Sequence, residues 1–179
     1  MTTTTAASRL CLVCGMCCNG VLFRDVELQP GDDADALKKL GLPVRSVRRG
    51  DGVIAKAPQP CAALCEDNRC RIYEDRPTRC RQFECLLFTA VISGEVEVDA
   101  AMKSIRQARV RADKVLRLLR QSGDADEHRP LSQRFNRTRR RFEAGEFDDD
   151  AVEAFADLTL AVHSLNLLLS AKFYSGEFK

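Results

Sequence analysis

Four cysteines packed into eight residues, Cys11, Cys14, Cys17 and Cys18, are the part of this chain best suited to chemistry. Two residues between Cys11 and Cys14 let one turn aim both sulfurs at a single ion. Gly15 follows, where a tight or left-handed backbone is easiest. Cys17 extends the run to C-x2-C-x2-C, and three such cysteines with a distant fourth follow the ligand logic of ferredoxin-type iron–sulfur clusters. Paired knuckles totalling four thiolates follow the logic of structural zinc equally well. Side chains of adjacent residues diverge, so Cys17 and Cys18 are expected to serve different sites or to bridge two metals.

Five further cysteines lie at Cys61, Cys65, Cys70, Cys80 and Cys85, and none follows. The first four with Cys61, Cys70, Cys80 and Cys85 make eight, enough for two four-thiolate sites. Cys65 is then spare, either a small buried hydrophobe or the nucleophile of a thiol redox enzyme. Thiolate-only sites suit zinc and iron alike. The triple spacing favours an iron–sulfur cluster over Zn. Arg69, Arg71, Arg76, Arg79 and Arg81 surround the downstream cysteines. Arg76 and Arg81 are expected to stand behind the ligands and donate to them; a plain solvated face is the alternative.

The elements that must hold these residues are short at first and long later. Residues 21–28 have enough β-branched and apolar side chains for a strand, broken by Pro30-Gly31. Asp32 or Asp33 can cap a helix running to Leu40, with Gly41 as its stop. Gly50-Asp51-Gly52 reads as a turn, and residues 53–55 as a second strand. Asp75 as cap and Pro77 in the first turn predict one helix over residues 76–88 carrying both Cys80 and Cys85. Met102, Ile105, Ala108, Ala112, Val115 and Leu119 form one helical stripe. Leu131, Phe135, Thr138 and Phe142 form another. Val152, Phe155, Thr159, Val162, Asn166 and Leu169 mark the inner face of a last helix capped by Asp148. The expected fold is α-rich α+β: an irregular cysteine-metal module followed by a small helical layer. Residues 1–9 are expected to be a flexible tail, 10–92 the cysteine-rich module and 93–179 a helical region packed on it, one compact domain overall.

Composition narrows the class. With 45% apolar and 30% charged residues a packed core is attainable. No uninterrupted apolar run approaches the roughly 18 residues of a membrane span, so no membrane association is expected. The opening residues lack the basic and apolar regions of a secretory signal. Nine cysteines cannot all pair, so reduced thiols in a cytoplasmic setting are expected rather than a disulfide scaffold. No GxGxxG, GxxxxGK or HExxH occurs, which removes the common nucleotide and zinc-protease motifs. His128 falls in a polar connection and His163 within the last helix; nothing brings either to a cysteine. Residues 103–141 hold thirteen Lys/Arg against four Asp/Glu, a balance of +9 in a chain of net +2. The stretch 134–142 is densest. Such a stripe can engage nucleic acid, an acidic protein partner or an anionic substrate, although a solvated helix face is the plainer reading. The oligomeric state is not written in the sequence.

CLVCGMCC at residues 11–18, the separate Cys61 and CRIYEDRPTRCRQFEC at residues 70–85 together resemble the CxxCxxCC cysteine-cluster family (YkgJ type) of zinc- or iron-chelating proteins. The resemblance spans about residues 10–90. It implies Cys11, Cys14, Cys17, Cys18, Cys61, Cys70, Cys80 and Cys85 as metal ligands. Ala62-Ala63-Leu64 replaces the family's usual Phe-Leu, and Cys65 is additional. A flagellin lysine methylase resembles the same family, but nothing in the second half here carries that activity over. Two functions follow as expectations. One is a cytoplasmic protein with cysteine-ligated metal, acting in redox, in cluster-dependent catalysis or as accessory to a partner enzyme. The other is a zinc-stapled binding module whose basic helices engage nucleic acid or an acidic protein.

Overall fold

The computed structural model describes residues 10–174. The expected tail at residues 1–9 lies outside them. The fold is α-rich α+β, as expected, with three short strands and six helices among the named elements. The chain divides into two compact units. A cysteine unit holds Cys11–Glu84 with His128–Pro130, and a helical unit holds most of the remainder.

In the cysteine unit, residues 11–14 are helical. Strand β1 (Asp25–Glu27), helix α1 (Ala34–Lys39), strands β2 (Arg45–Arg49) and β3 (Gly52–Pro58) and helix α2 (Thr78–Gln82) follow. The strands form an antiparallel sheet in the order β1-β3-β2. Val26 pairs with Ala57 and Val47 with Ile54. The first strand is shorter than its apolar sequence suggests, and β3 is longer. β2 carries no hydrophobic alternation and every residue in it is exposed. It is an edge strand recruited by the Gly50-Asp51 turn, where Gly50 takes φ +57°. Asp33 rather than Asp32 caps α1, accepting from the Asp35 and Ala36 N–H groups. Leu37, Leu42, Ala57, Ala63 and Ile72 make a small core with Cys61 and Cys70 against it.

The single helix expected over residues 76–88 is two. Helix α2 ends at Phe83, whose ψ of 120° is extended. Its ring meets Phe23 edge-on at 4.9 Å, and that aromatic contact outweighs continuation of a five-residue helix. A new helix, α3 (Leu86–Ile92), starts beyond Cys85. Cys80 and Cys85 therefore lie on different helices and in different units.

The helical unit contains α3, α4 (Val98–Gln121), α5 (Leu131–Glu143) and α6 (Asp149–Lys172). α4 buries Ile105, Ala108, Ala112, Val115 and Leu119, as its periodicity predicts, while Met102 at the start of that stripe is half-buried and Ala101 takes the inner place. α6 instead buries Phe155, Leu158, Ala161, Val162, Leu165 and Leu169. Val152, Thr159 and Asn166, expected inside, are exposed. Leucines lie all around this helix, so its pattern carries little phase information. By length and composition α6 is long and apolar enough to cross a membrane. It qualifies because the polar residues between Leu158 and Ala171 are uncharged, without any continuous apolar run.

The stretch read as a basic stripe is partly internal. Arg134 is 2% exposed and Asp124 is 3%. Arg134 donates through Nε to Asp124 Oδ1 at 2.9 Å, and Arg137 through Nη2 to Oδ2 at 2.7 Å. Arg137 also pairs with Asp126, Arg139 with Glu143 and Arg141 with Glu146.

Candidate metal centre

Positioning of the first cysteine box begins with a helical turn that stops at Gly15. Cys11 and Cys14 lie three residues apart on that turn, one face of it. The Cys18 and Asn19 N–H groups both donate back to Gly15 O at 2.9 Å. Gly15 takes φ +67°. A Cβ there would stand 2.9 Å from Asn68 side-chain atoms. Glycine thus lets the box lie directly against the loop that leads to Cys70. Met16 beneath the turn is fully buried.

The second part arrives along β3. Cys61 N–H donates to Cys18 O at 2.7 Å, so the isolated cysteine lands beside the box. Gly20, at φ +77°, packs against Pro60 here. The Gln59–Pro60 bond is cis. Gln59 is 2% exposed, and its Oε1 has no donor among the described residues. The loop that follows is closed by a bridge between Leu64 and Cys70. Within it, Cys65 N–H donates to Arg69 O at 2.8 Å and Asn68 N–H to Cys65 O at 2.9 Å. Asn68 itself takes φ +67°.

The third part is α2, which carries Cys80. No side chain within the helix caps it. Asp32, forty-six residues upstream, does so instead: its Oδ1 accepts the Thr78 N–H at 2.9 Å and the Thr78 hydroxyl at 2.7 Å. Oδ2 accepts the Gln29 N–H at 2.8 Å. Desolvation opposes ionisation of Asp32, but these hydrogen bonds outweigh it and hold its carboxyl below the usual range. Local sequence reasoning misses Asp32 as the cap of this helix, because a cap is sought next to its helix.

These parts bring four sulfurs into mutual electrostatic reach. Cys18 feels Cys61, Cys80 and Cys70 as charges; Cys80 feels Cys61 and Cys70; and Cys61 feels Cys70. All six pairs within the set are thus coupled. Cys14 acts on Cys18 as well. Burial, the larger cause, and repulsion between neighbouring sulfurs push the Cys18 thiol far up and the Cys80 thiol to about 12. Burial raises Cys61 too. A desolvated set of thiols with few compensating cations is held neutral until a cation arrives, which is the donor chemistry of a thiophilic metal site. The sulfurs do not converge on one point: among the described residues, no three His, Cys, Asp or Glu side chains are already disposed around an ion. Binding must draw them inward.

Cys17 is half-buried, and Cys11 and Cys65 are exposed. Cys85 belongs to the helical unit, where its Sγ accepts the Phe88 N–H at 3.4 Å and caps α3. The two arginines singled out from the sequence part ways. Arg76 lies over the Tyr73 ring at 3.7 Å, donates to Tyr73 O at 2.7 Å and lowers the Cys80 thiol electrostatically. Arg81 turns to Thr78 at 3.3 Å and acts on Asp32. Arg71, not singled out, acts on Cys61 and reaches Leu40 O at 3.4 Å.

No curated protein and no solved structure matches the chain. Residues 10–111 match the CxxCxxCC family, described as "putative zinc- or iron-chelating domain". The match runs from the first cysteine box through Cys85 and into α4, more than half of the sequence, and the chain belongs to this family.

Proposed function

We propose that this protein holds a cysteine-ligated metal centre, an iron–sulfur cluster in preference to zinc. The observation that supports it best is the closed set of couplings among Cys18, Cys61, Cys70 and Cys80. These four are the main ligand set in this reading. Cys11, Cys14 and Cys17 form the remaining part of the box, with Cys85 as the most distant candidate ligand along the chain. A cluster bound here would supply one-electron chemistry or a Lewis-acidic iron. The chain's own residues shape that site: the Leu37–Ile72 core walls it, Asp32 fixes the helix of Cys80, and Arg76 and Arg71 offset thiolate charge. The role that follows is redox, cluster-dependent catalysis or service to a partner enzyme.

A zinc-stapled binding module is the second reading, favoured by thiolate-only chemistry that suits both metals. Its nucleic-acid contact through residues 134–141 has less free charge to use, because Arg134, Arg137, Arg139 and Arg141 are already paired.

Anaerobic purification, elemental analysis and a visible spectrum of one sample separate the two. Iron with sulfide and a broad band near roughly 400 nm supports the cluster. Stoichiometric zinc without colour supports the staple. Metal-replete Cys18→Ala and Cys80→Ala variants would remove the ligand assignment.

A further inference from the structure

Helices α4 and α6 lie side by side in the helical unit. Arg111 donates through Nη1 to Ser164 O at 2.7 Å. Leu118 and Gln121 share a cleft with Ala154 and Asp157, so the two helices run antiparallel. Their buried stripes face inward. At 100° per residue, the outward centres of the two helices fall on Val110 in α4 and on Leu160 and Leu167 in α6. These three are 68%, 69% and 59% exposed. Ser164 sits one turn from each leucine and Val110 adjoins Arg111, so all three residues fall near the level of the Arg111 crossing. Three such exposed apolar side chains at one level of a helix pair are available to a partner surface.

Charge is sorted on the same face. Lys103, Arg106, Lys114 and Arg117 are exposed on α4, and Glu153 and Asp157 on α6. None of these six makes an ion pair among the described residues. α4 therefore carries free basic surface of its own, apart from the denser run in α5.

We propose that a second copy of this chain covers this face, with α4 of one copy lying along α6 of its partner in an antiparallel four-helix arrangement. A two-fold axis parallel to the helices keeps every residue at its own level. Since Arg111 is level with Ser164, Val110 of one copy falls between Leu160 and Leu167 of its partner. Lys114 and Arg117 then fall within about one or two turns of the other copy's Asp157 and Glu153. Each contact occurs twice. Two 24-residue helices about 9 Å apart present a face of roughly 36 by 20 Å, about 700 Å². A stable interface takes about 800 Å² from each partner, so this pair of helices is nearly sufficient by itself. Nucleic acid fits less well, because Asp113, Glu153 and Asp157 share the face and repel phosphate.

Sedimentation velocity of the full chain at about 1 to 100 µM tests this. The native chain is expected to be a dimer, and the Leu160→Glu/Leu167→Glu variant a monomer with unchanged helical circular dichroism. If that variant loses helix, Leu160→Ser/Leu167→Ser takes its place. Lys114→Glu/Arg117→Glu and Glu153→Lys/Asp157→Lys should each be monomeric. Mixing the two should restore a dimer, since both contacts in the mixed pair join opposite charges. A native monomer at the highest concentration, a dimer that survives the charge reversals, or failure of the mixture to associate would overturn the proposal. So would a native monomer that binds anionic vesicles through Leu160 and Leu167.

Discussion

Metal binding should be linked to an unusually large and persistent release of protons. The perturbation is pH, applied to metal-free protein titrated with Zn²⁺ or Co²⁺ against a chromophoric chelator. Cys18, Cys61 and Cys80 all have raised thiol pKa values, Cys80 at about 12 against an ordinary 9.0. Near pH 6.5 an ordinary thiol carries its proton, and the raised values keep Cys18, Cys61 and Cys80 protonated there. At least three protons must then leave, and apparent affinity should rise by about three decades or more per pH unit. An exposed four-cysteine site loses most of that slope above roughly pH 9, because its thiols ionise unaided. Here Cys18 and Cys80 still carry their protons, so about two decades per unit should persist at pH 9.5. Calorimetry in buffers of differing ionisation enthalpy counts the same protons independently. The metal-free fold should show the opposite side of this linkage. The unfolded chain gives up the Cys80 proton above about pH 9 while the folded chain keeps it. Stability is therefore intact below pH 9 and falls as pH rises toward 12, by on the order of 4 kcal/mol for three pH units. A slope near one at pH 9.5 would show that the buried thiols are not the ligands, and would refute the reasoning.

Three substitutions probe the parts that bring these thiols together. Asp32→Ala removes the side-chain cap of the Cys80 helix and should lower stability by about 1–2 kcal/mol, with weaker metal binding, as read by denaturant melts and chelator competition. Because hydrogen bonds depress the Asp32 carboxyl, its contribution is present above about pH 4 and is lost as pH falls through the lower folded value. Gly15→Ala forces a left-handed alanine whose methyl meets Asn68 at 2.9 Å. It should cost at least about 1–2 kcal/mol, and adding Asn68→Gly should recover part of that. Asp124→Ala strands the buried Arg134 guanidinium and should destabilise the helical unit by about 3–5 kcal/mol, while metal content stays unchanged.

Different physical signals account for what the sequence reveals and what it conceals. The stripe of α4 was legible because alanine and β-branched positions recur every three or four residues against a charged face, and that contrast fixes the phase. α6 has the same length but leucine on most sides, so its inner face is set by what α4 offers. The arginines of α5 show the limit of counting charge. Arg134 looks like one member of a basic run, yet it is buried because Asp124, ten residues earlier, completes its fork. No local rule connects those two positions.

The metal site divides in the same way. The box at Cys11–Cys18 is a local signal, since a chelating turn needs that spacing. Which cysteines meet is a property of topology. Cys61 reaches Cys18 through one backbone hydrogen bond at the end of β3, and Cys80 depends on a carboxylate forty-six residues before the helix it caps. Cys85 shares a motif with Cys80 but lies beyond the turn at Phe83, in the other unit. Spacing alone therefore makes eight cysteines equivalent, whereas the fold draws Cys18, Cys61, Cys70 and Cys80 into mutual electrostatic reach. A single experiment follows that division. Cys18, Cys61, Cys70 and Cys80 replaced one at a time should each abolish the high-affinity metal and its proton release. Cys65→Ser should leave both intact, because Cys65 is exposed and outside the coupled set.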